Sequence, residues 1–168
     1  MKALFITLAA ILGFSAAESD SLSETDLMFA RDAADCSIME IKLGQLAQTN
    51  ASSPSVKKLG QHMISDYTKI NADLHSFAEQ KQVILPSALG TEQQEKYDKL
   101  ARLKGAEFDK AYTKCMVKAH KRAISMYKKE IKKGDDLGLK AFADRHSALL
   151  DHHLKLSKET ADIVRNDK

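Results

Sequence analysis

An all-α four-helix bundle is the fold this sequence predicts, and three observations carry the prediction. Four long stretches each show one apolar stripe at three-and-four spacing, the mark of amphipathic helices. The two prolines, Pro54 and Pro86, both fall between such stretches, where helices begin or break. No stretch alternates with a period of two for long enough to suggest a strand.

The first helix, A, is expected over about 24–49, with Ser23 as its N-cap and Asp26 three residues on. Its stripe is Phe29, Ala33, Cys36, Glu40, Leu43 and Ala47. Helix B is expected over about 54–81, capped by Ser53, with Pro54 suited to the first turn. Its stripe runs Val56, Leu59, Met63, Tyr67, Ile70, Leu74 and Phe77. Thr91 with Gln94 reads as a capping box opening a short helix to about Lys104, which Gly105 breaks or kinks. Helix C, about 106–133, carries Phe108, Tyr112, Cys115, Ala119, Ala123 and Met126 on one face, His120 at its shoulder, and Gly134 as C-terminal cap. Helix D, about 136–165, opens at Asp135 or Asp136 and shows Leu139, Phe142, His146, Leu149, His153, Leu156, Thr160 and Ile163.

Four such stripes can be buried only against one another, which makes a bundle. The short A–B and C–D connections predict antiparallel hairpins. The B–C connection is longer and holds the short extra helix. A long crossover at that place is the ferritin-like variant of the bundle.

The start of the chain is expected to be a targeting segment. Lys2 precedes an uncharged apolar run from Ala3 to Phe14, and Ser15, Ala16 and Ala17 supply the small residues a signal peptidase reads. The run is too short for a membrane span, which takes roughly 20 apolar residues. Residues 1–17 therefore read as a signal peptide and 18–168 as one helical-bundle domain, periplasmic or secreted, with no transmembrane span after cleavage. In such an oxidising compartment a disulfide between Cys36 and Cys115 is permitted. It requires their Cα atoms to lie within about 7 Å.

Charge is unevenly spread. Residues 18–51 hold seven acids and two bases, whereas 110–133 hold nine bases and the single acid Glu130. The basic stretch suits a solvated helix face with lysines near a helix C-terminus, and it could also meet anionic lipid or polysaccharide. It lacks the interleaved aromatics of a nucleic-acid interface, and nucleic acid is not expected as a partner of an exported protein.

The informative feature is polarity inside the stripes. Glu40, Tyr67, His146 and His153 occupy positions that should be apolar. Glu40, Tyr67, His120 and His153 lie near the middles of their helices, so they should share one layer within about one helical turn, ~5 Å along the axis. Burying a carboxylate and two imidazoles without partners would cost several kcal/mol. Facing a water-filled cavity would meet that cost, and so would either of two closed arrangements. One is a closed hydrogen-bonded network, with Glu40 paired to a histidine. The other is a single zinc, iron or manganese ion on Glu40, His120 and His153, with Asp66, Tyr67 and His146 as neighbours. A di-iron centre is excluded, because no Glu-x-x-His pair occurs and one carboxylate cannot balance two ions. His62 and Asp66 lie off the stripe and read as exposed, as does His75. No nucleophile elbow, phosphate loop or dinucleotide fingerprint points to an enzyme.

Four motifs in order, EIKLGQLA in A, VKKLGQHMISDY in B, GAEFDKAY followed by His120 in C, and FADRHSALLDHHL in D, resemble the bacterial exported family called domain of unknown function 4142. The resemblance spans about 26–156 and implies a ferritin-like fold with no established activity. The family's pattern has a glutamate in A, Asp-His in B, and a histidine in each of C and D. By resemblance these fall on Glu40, Asp66 with Tyr67, His120 and His153. The chain departs from the family at Tyr67, a poor zinc ligand while its phenol keeps its proton. The expectation is a non-catalytic envelope protein that binds an unidentified partner or lends structure, with metal handling through Glu40, His120 and His153 as the alternative.

Overall fold

The computed structural model describes residues 21–166, so the expected signal peptide lies outside the described residues. Among the described residues five helices follow one another: α1 (Glu24–Asn50), α2 (Pro54–Gln80), α3 (Thr91–Ala101), α4 (Gly105–Lys133) and α5 (Leu137–Asn166). There is no strand among the described residues. The four long helices match A to D, and α3 is the short helix of the crossover.

Contacts at the helix ends define the topology. Asn50, at the end of α1, donates to the carbonyls of Ala101 and Leu103 at 3.2 and 2.9 Å, and Lys104 bonds back to it. Lys81, just past α2, pairs with Asp136 before α5 at 3.1 Å. Thus α2 ends beside the start of α5, whereas α4 starts beside the end of α1. The 81–104 connection therefore runs back along the length of the bundle. Helix directions are up, down, down, up, and α1 packs on α2 and α4 while α5 packs on those same two helices from the opposite corner. This is the ferritin-like arrangement.

Two buried carboxylates pin the two hairpin turns. The Asp26 carboxylate on α1 accepts from the backbone N–H groups of Asp135 and Asp136 at 3.0 and 3.1 Å, and from the Ser23 hydroxyl. The Asp109 carboxylate on α4 accepts from Ser53 N at 2.9 Å and from the Ser52 hydroxyl. Each hairpin thus has its turn held from the opposite hairpin. These bonds satisfy backbone groups that helix termini leave bare.

Capping is partly as expected. Ser23 Oγ accepts from Asp26 N at 3.2 Å, and Asp136 Oδ1 accepts from Leu139 N at 2.9 Å. Ser53 does not cap α2 with its side chain: its hydroxyl bonds Ser55, and Asp109 takes over its N–H. Thr91 is not a cap either. Gly90 occupies the N-cap of α3 without a side chain to offer, and α3 stops at Ala101 rather than Lys104. Gly105 takes φ +59°, a left-handed conformation that glycine adopts cheaply, and there the chain turns into α4.

α1 and α2 approach closely at two glycines. A methyl group on Gly44 would come within 2.6 Å of the Gly60 carbonyl, and one on Gly60 within 2.8 Å of Ala47.

The buried faces of α4 and α5 are rotated from the expected stripes. On α4 the buried residues are Phe108, Tyr112, Met116, His120, Ala123 and Tyr127. His120 is therefore central rather than at the shoulder, and Cys115, Ala119 and Met126 move to the edge. On α5, Leu150, Ser157 and Val164 are buried, while Ile163 is 45% exposed. Neither stripe could be resolved to better than one residue, because apolar side chains stand on both shoulders of each helix.

Candidate functional site

The middle of the bundle holds a buried polar layer. Tyr67, His120 and His153, from α2, α4 and α5, are each no more than 1% exposed. Their ring centroids are mutually close: 5.9 Å for Tyr67–His120, 5.6 Å for Tyr67–His153 and 5.3 Å for His120–His153. Large apolar residues close the layer on both sides. Phe29, Tyr127 and Phe142 cluster toward one end, Phe29 meeting both other rings edge-to-face, with Phe29–Tyr127 at 5.0 Å. Phe108 stacks on Tyr112 at 5.4 Å toward the other.

Hydrogen bonds assign the tautomers. His120 Nδ1 lies 2.9 Å from the Met116 carbonyl, which can only accept. That nitrogen carries the proton, so Nε2 accepts from the Tyr67 hydroxyl at 3.1 Å. Burial drives the His120 pKa down to about 4, with His153 adding to the effect, so the ring is neutral at pH 7. His153 Nε2 lies 3.0 Å from Asp66 Oδ2 and donates to it. Its Nδ1 faces the core with no partner. Burial lowers the pKa of His153 too, against the opposing pull of Asp66. Burial also raises the Tyr67 pKa well above its ordinary value, so the phenol keeps its proton.

Glu40 is 1% exposed and belongs to the same region, but it does not join the network. Its Oε2 has no hydrogen-bond partner, nor does the buried hydroxyl of Tyr112. Burial raises the pKa of Tyr67, Tyr112, Cys36 and Cys115, and the ionised form of Glu40 adds to each shift. Burial pushes Glu40 itself up to about 8, so at pH 7 it holds a proton. The expected Glu40–histidine bond is therefore replaced by an Asp66–histidine bond. Among the described residues, no three His, Cys, Asp or Glu side chains are gathered into a ready-made metal set.

The remaining candidates divide. Asp66 is not exposed, as expected from sequence, but partly covered, and it holds His153. Its position one residue before a buried stripe residue lets it reach across to α5. His146 is buried and packs on Phe142 at 4.7 Å, and its Nε2 comes within 3.2 Å of Asp73 without hydrogen-bond alignment. His62 and His152 are exposed, while His75 is half-buried rather than on the surface. Cys36 and Cys115 are free thiols, so the permitted disulfide is not formed. Met116 rather than Cys115 takes the centre of the buried face of α4, leaving both cysteines half-buried beside a cavity of about 330 Å³ between α1, α3 and α4. Glu40 also lines that cavity.

Sequence reasoning missed a carboxyl pair between α1 and α4. Glu130 on α4 is 2% exposed and hydrogen-bonds Asp26. Its signal was available: it is the one acid in a basic stretch, seven residues after the buried Ala123 and so on the same face.

An up-down-down-up bundle around a buried His–Tyr–Asp layer defines a ferritin-like helical-bundle protein, and relatives agree. Residues 13–160 match the family described as "Domain of unknown function (DUF4142)", and the chain belongs to that family. A comparison with proteins of curated function finds no match. Among solved structures, a DUF305 fragment from Deinococcus radiodurans is similar with TM-score 0.74 and 8% identity, covering 84% of this chain and 98% of that one. A DUF305 protein from Streptomyces coelicolor gives TM-score 0.72 and 14% identity over 87% and 94%. CopM in a Cu(II)-bound form gives TM-score 0.68 and 19% identity over 82% and 95%. At these identities the likeness shows a shared fold. No helix among the described residues is long and apolar enough to cross a membrane.

Proposed function

We propose that this chain is a non-catalytic metal-handling protein of the cell envelope, taking up one transition-metal ion reversibly in the buried polar layer. The observation that carries the reading is His153. Asp66 fixes its Nε2, and its Nδ1 is left bare in the core. A carboxylate that orients an imidazole so that its other nitrogen is free is the usual outer support of a metal ligand. His120 has a comparable support, with Nδ1 tied to a backbone carbonyl and Nε2 engaged only by a phenol. Glu40 supplies an unpartnered carboxyl in the same region. Imidazole nitrogen with carboxylate oxygen suits zinc, iron, manganese or copper(II).

The donors are not preassembled, so side chains must close on an ion and Glu40 must give up its proton. Both requirements weaken binding and favour exchange over permanent residence. CopM, similar in fold, has been seen with copper and with silver, which supports metal handling without choosing the ion. The apolar leader supports an envelope location.

The test is metal analysis of untagged protein dialysed against zinc, copper or manganese. The reading expects one ion per chain, lost in His153→Ala and Glu40→Ala. Wild-type protein that retains no ion, with unchanged melting in excess metal, would contradict it.

A further inference from the structure

The cavity between α1, α3 and α4 has features the metal reading does not use. Its volume, about 330 Å³, is at the small end of the roughly 300–1,000 Å³ typical of ligand pockets. Met39 and Leu43 of α1 and Ala119 and Ala123 of α4 line it, together with the two free thiols. Burial pushes the Cys115 thiol up to about 11 and that of Cys36 higher, so both are uncharged at pH 7 and behave as apolar wall.

The rim is different. Lys99 of α3 and Lys118 and Arg122 of α4 border the cavity and are exposed. None of the three has an ion-pair partner among the described residues, whereas Lys96 beside them is matched by Glu92 at 2.6 Å. Lys118 and Arg122 stand one helical turn apart on the same face. Asp32 and Asp35 also border the cavity, and Asp35 is occupied in accepting from Gly90 N at 3.1 Å. The rim thus sets three cations without ion-pair partners against two carboxylates, a net positive charge beside an apolar floor. Glu40 adds a polar group lining that cavity, buried and with its Oε2 unpartnered.

We propose that this cavity binds a small amphipathic organic anion of the medium-chain fatty-acid class, its head group at Lys118, Arg122 and Lys99 and its chain along the apolar floor toward Glu40. The volume excludes a whole phospholipid. The cationic rim selects against neutral and cationic amphiphiles of the same length. This site stands apart from the metal reading, although Glu40 borders both.

The experiment uses EDTA-stripped protein, so that failure of metal binding leaves it untouched. Decanoate, decanol and decyltrimethylammonium are titrated calorimetrically, and phosphatidylglycerol vesicles are tested by co-sedimentation. Saturable decanoate binding is expected, roughly tenfold or more tighter than decanol, with no binding of the cation. The double variant Lys118→Glu/Arg122→Glu changes only exposed side chains, and it should lower decanoate affinity by roughly tenfold or more with unchanged melting. Ala119→Phe, which fills the cavity, should abolish binding while the circular dichroism stays helical. If that variant misfolds, the charge-reversal pair alone decides. Equal affinity for decanoate and decanol, indifference to charge reversal, or binding to vesicles without binding of decanoate would each overturn the proposal.

Discussion

Asp66 Oδ2 lies 3.0 Å from His153 Nε2, a bond that crosses from α2 to α5 and leaves the other ring nitrogen of His153 facing the core. Removing its acceptor has two consequences. Asp66→Ala leaves a buried N–H without a partner, which should cost about 1 kcal/mol in urea unfolding. If His153 is a ligand, the same change should lower metal affinity by roughly 10–100-fold. A variant that loses stability but no affinity would mark Asp66 as purely structural.

The Tyr67 hydroxyl donates to His120 Nε2 at 3.1 Å. Tyr67→His replaces a protonated phenol by an imidazole at the centre of the layer. Zinc or copper affinity should rise by roughly tenfold, read by competition with a chelating dye. Tyr67→Phe should leave affinity unchanged or better while costing about 1 kcal/mol of stability, since His120 loses its donor.

The Asp26–Glu130 pair predicts a pH dependence. Burial, aided by the neighbouring Asp26, raises the pKa of Glu130 from 4.5 to about 7. Asp26 is held below its ordinary value: burial pulls it up, but bonds from Ser23, the Asp135 and Asp136 backbone and Glu130 outweigh that pull. Below about pH 7, Glu130 therefore keeps its proton and donates, while Asp26 keeps its charge and accepts. Lys140 and Asp136 also face Glu130 and oppose each other. A raised folded-state pKa contributes stability that is present below pH 4.5 and is lost as pH rises through about 7. Glu130→Gln preserves a donor and cannot ionise. Its stability relative to wild type should improve across that window, by roughly 1–2 kcal/mol after allowance for solvent screening. A pH-independent difference between the two proteins would refute this assignment of the proton.

Gly44 meets Gly60 where α1 and α2 approach, and an added methyl group would sit 2.6 Å from the Gly60 carbonyl. Gly44→Ala should therefore destabilise by about 1–3 kcal/mol, although alanine favours helix. A stabilised Gly44→Ala protein would show that the two helices can separate freely.

Periodicity made the four long helices legible, and the long 81–104 connection made the crossover legible, because both follow from burying one stripe per helix. The polar layer was legible for a related reason: Tyr67, His120 and His153 are polar residues near mid-helix in apolar surroundings. Their partners were not. Helix rotation decides whether Asp66 or Glu40 reaches a histidine, and one residue of uncertainty is 100° of rotation, enough to exchange them. The same rotation moved Cys115 off the centre of α4. Asp109 and Asp26 were invisible as turn clamps because their bonds join residues 56–57 and 109–110 positions apart, beyond any local pattern.

The most direct test of the metal-handling account is the long-range proton–nitrogen NMR spectrum of the histidine side chains as zinc is added to EDTA-stripped protein. The account predicts that the Nδ1 signal of His153 shifts and saturates at one equivalent, while the exposed rings of His62 and His152 stay unchanged. A His153 signal that does not move, with any response confined to those exposed rings, would contradict it.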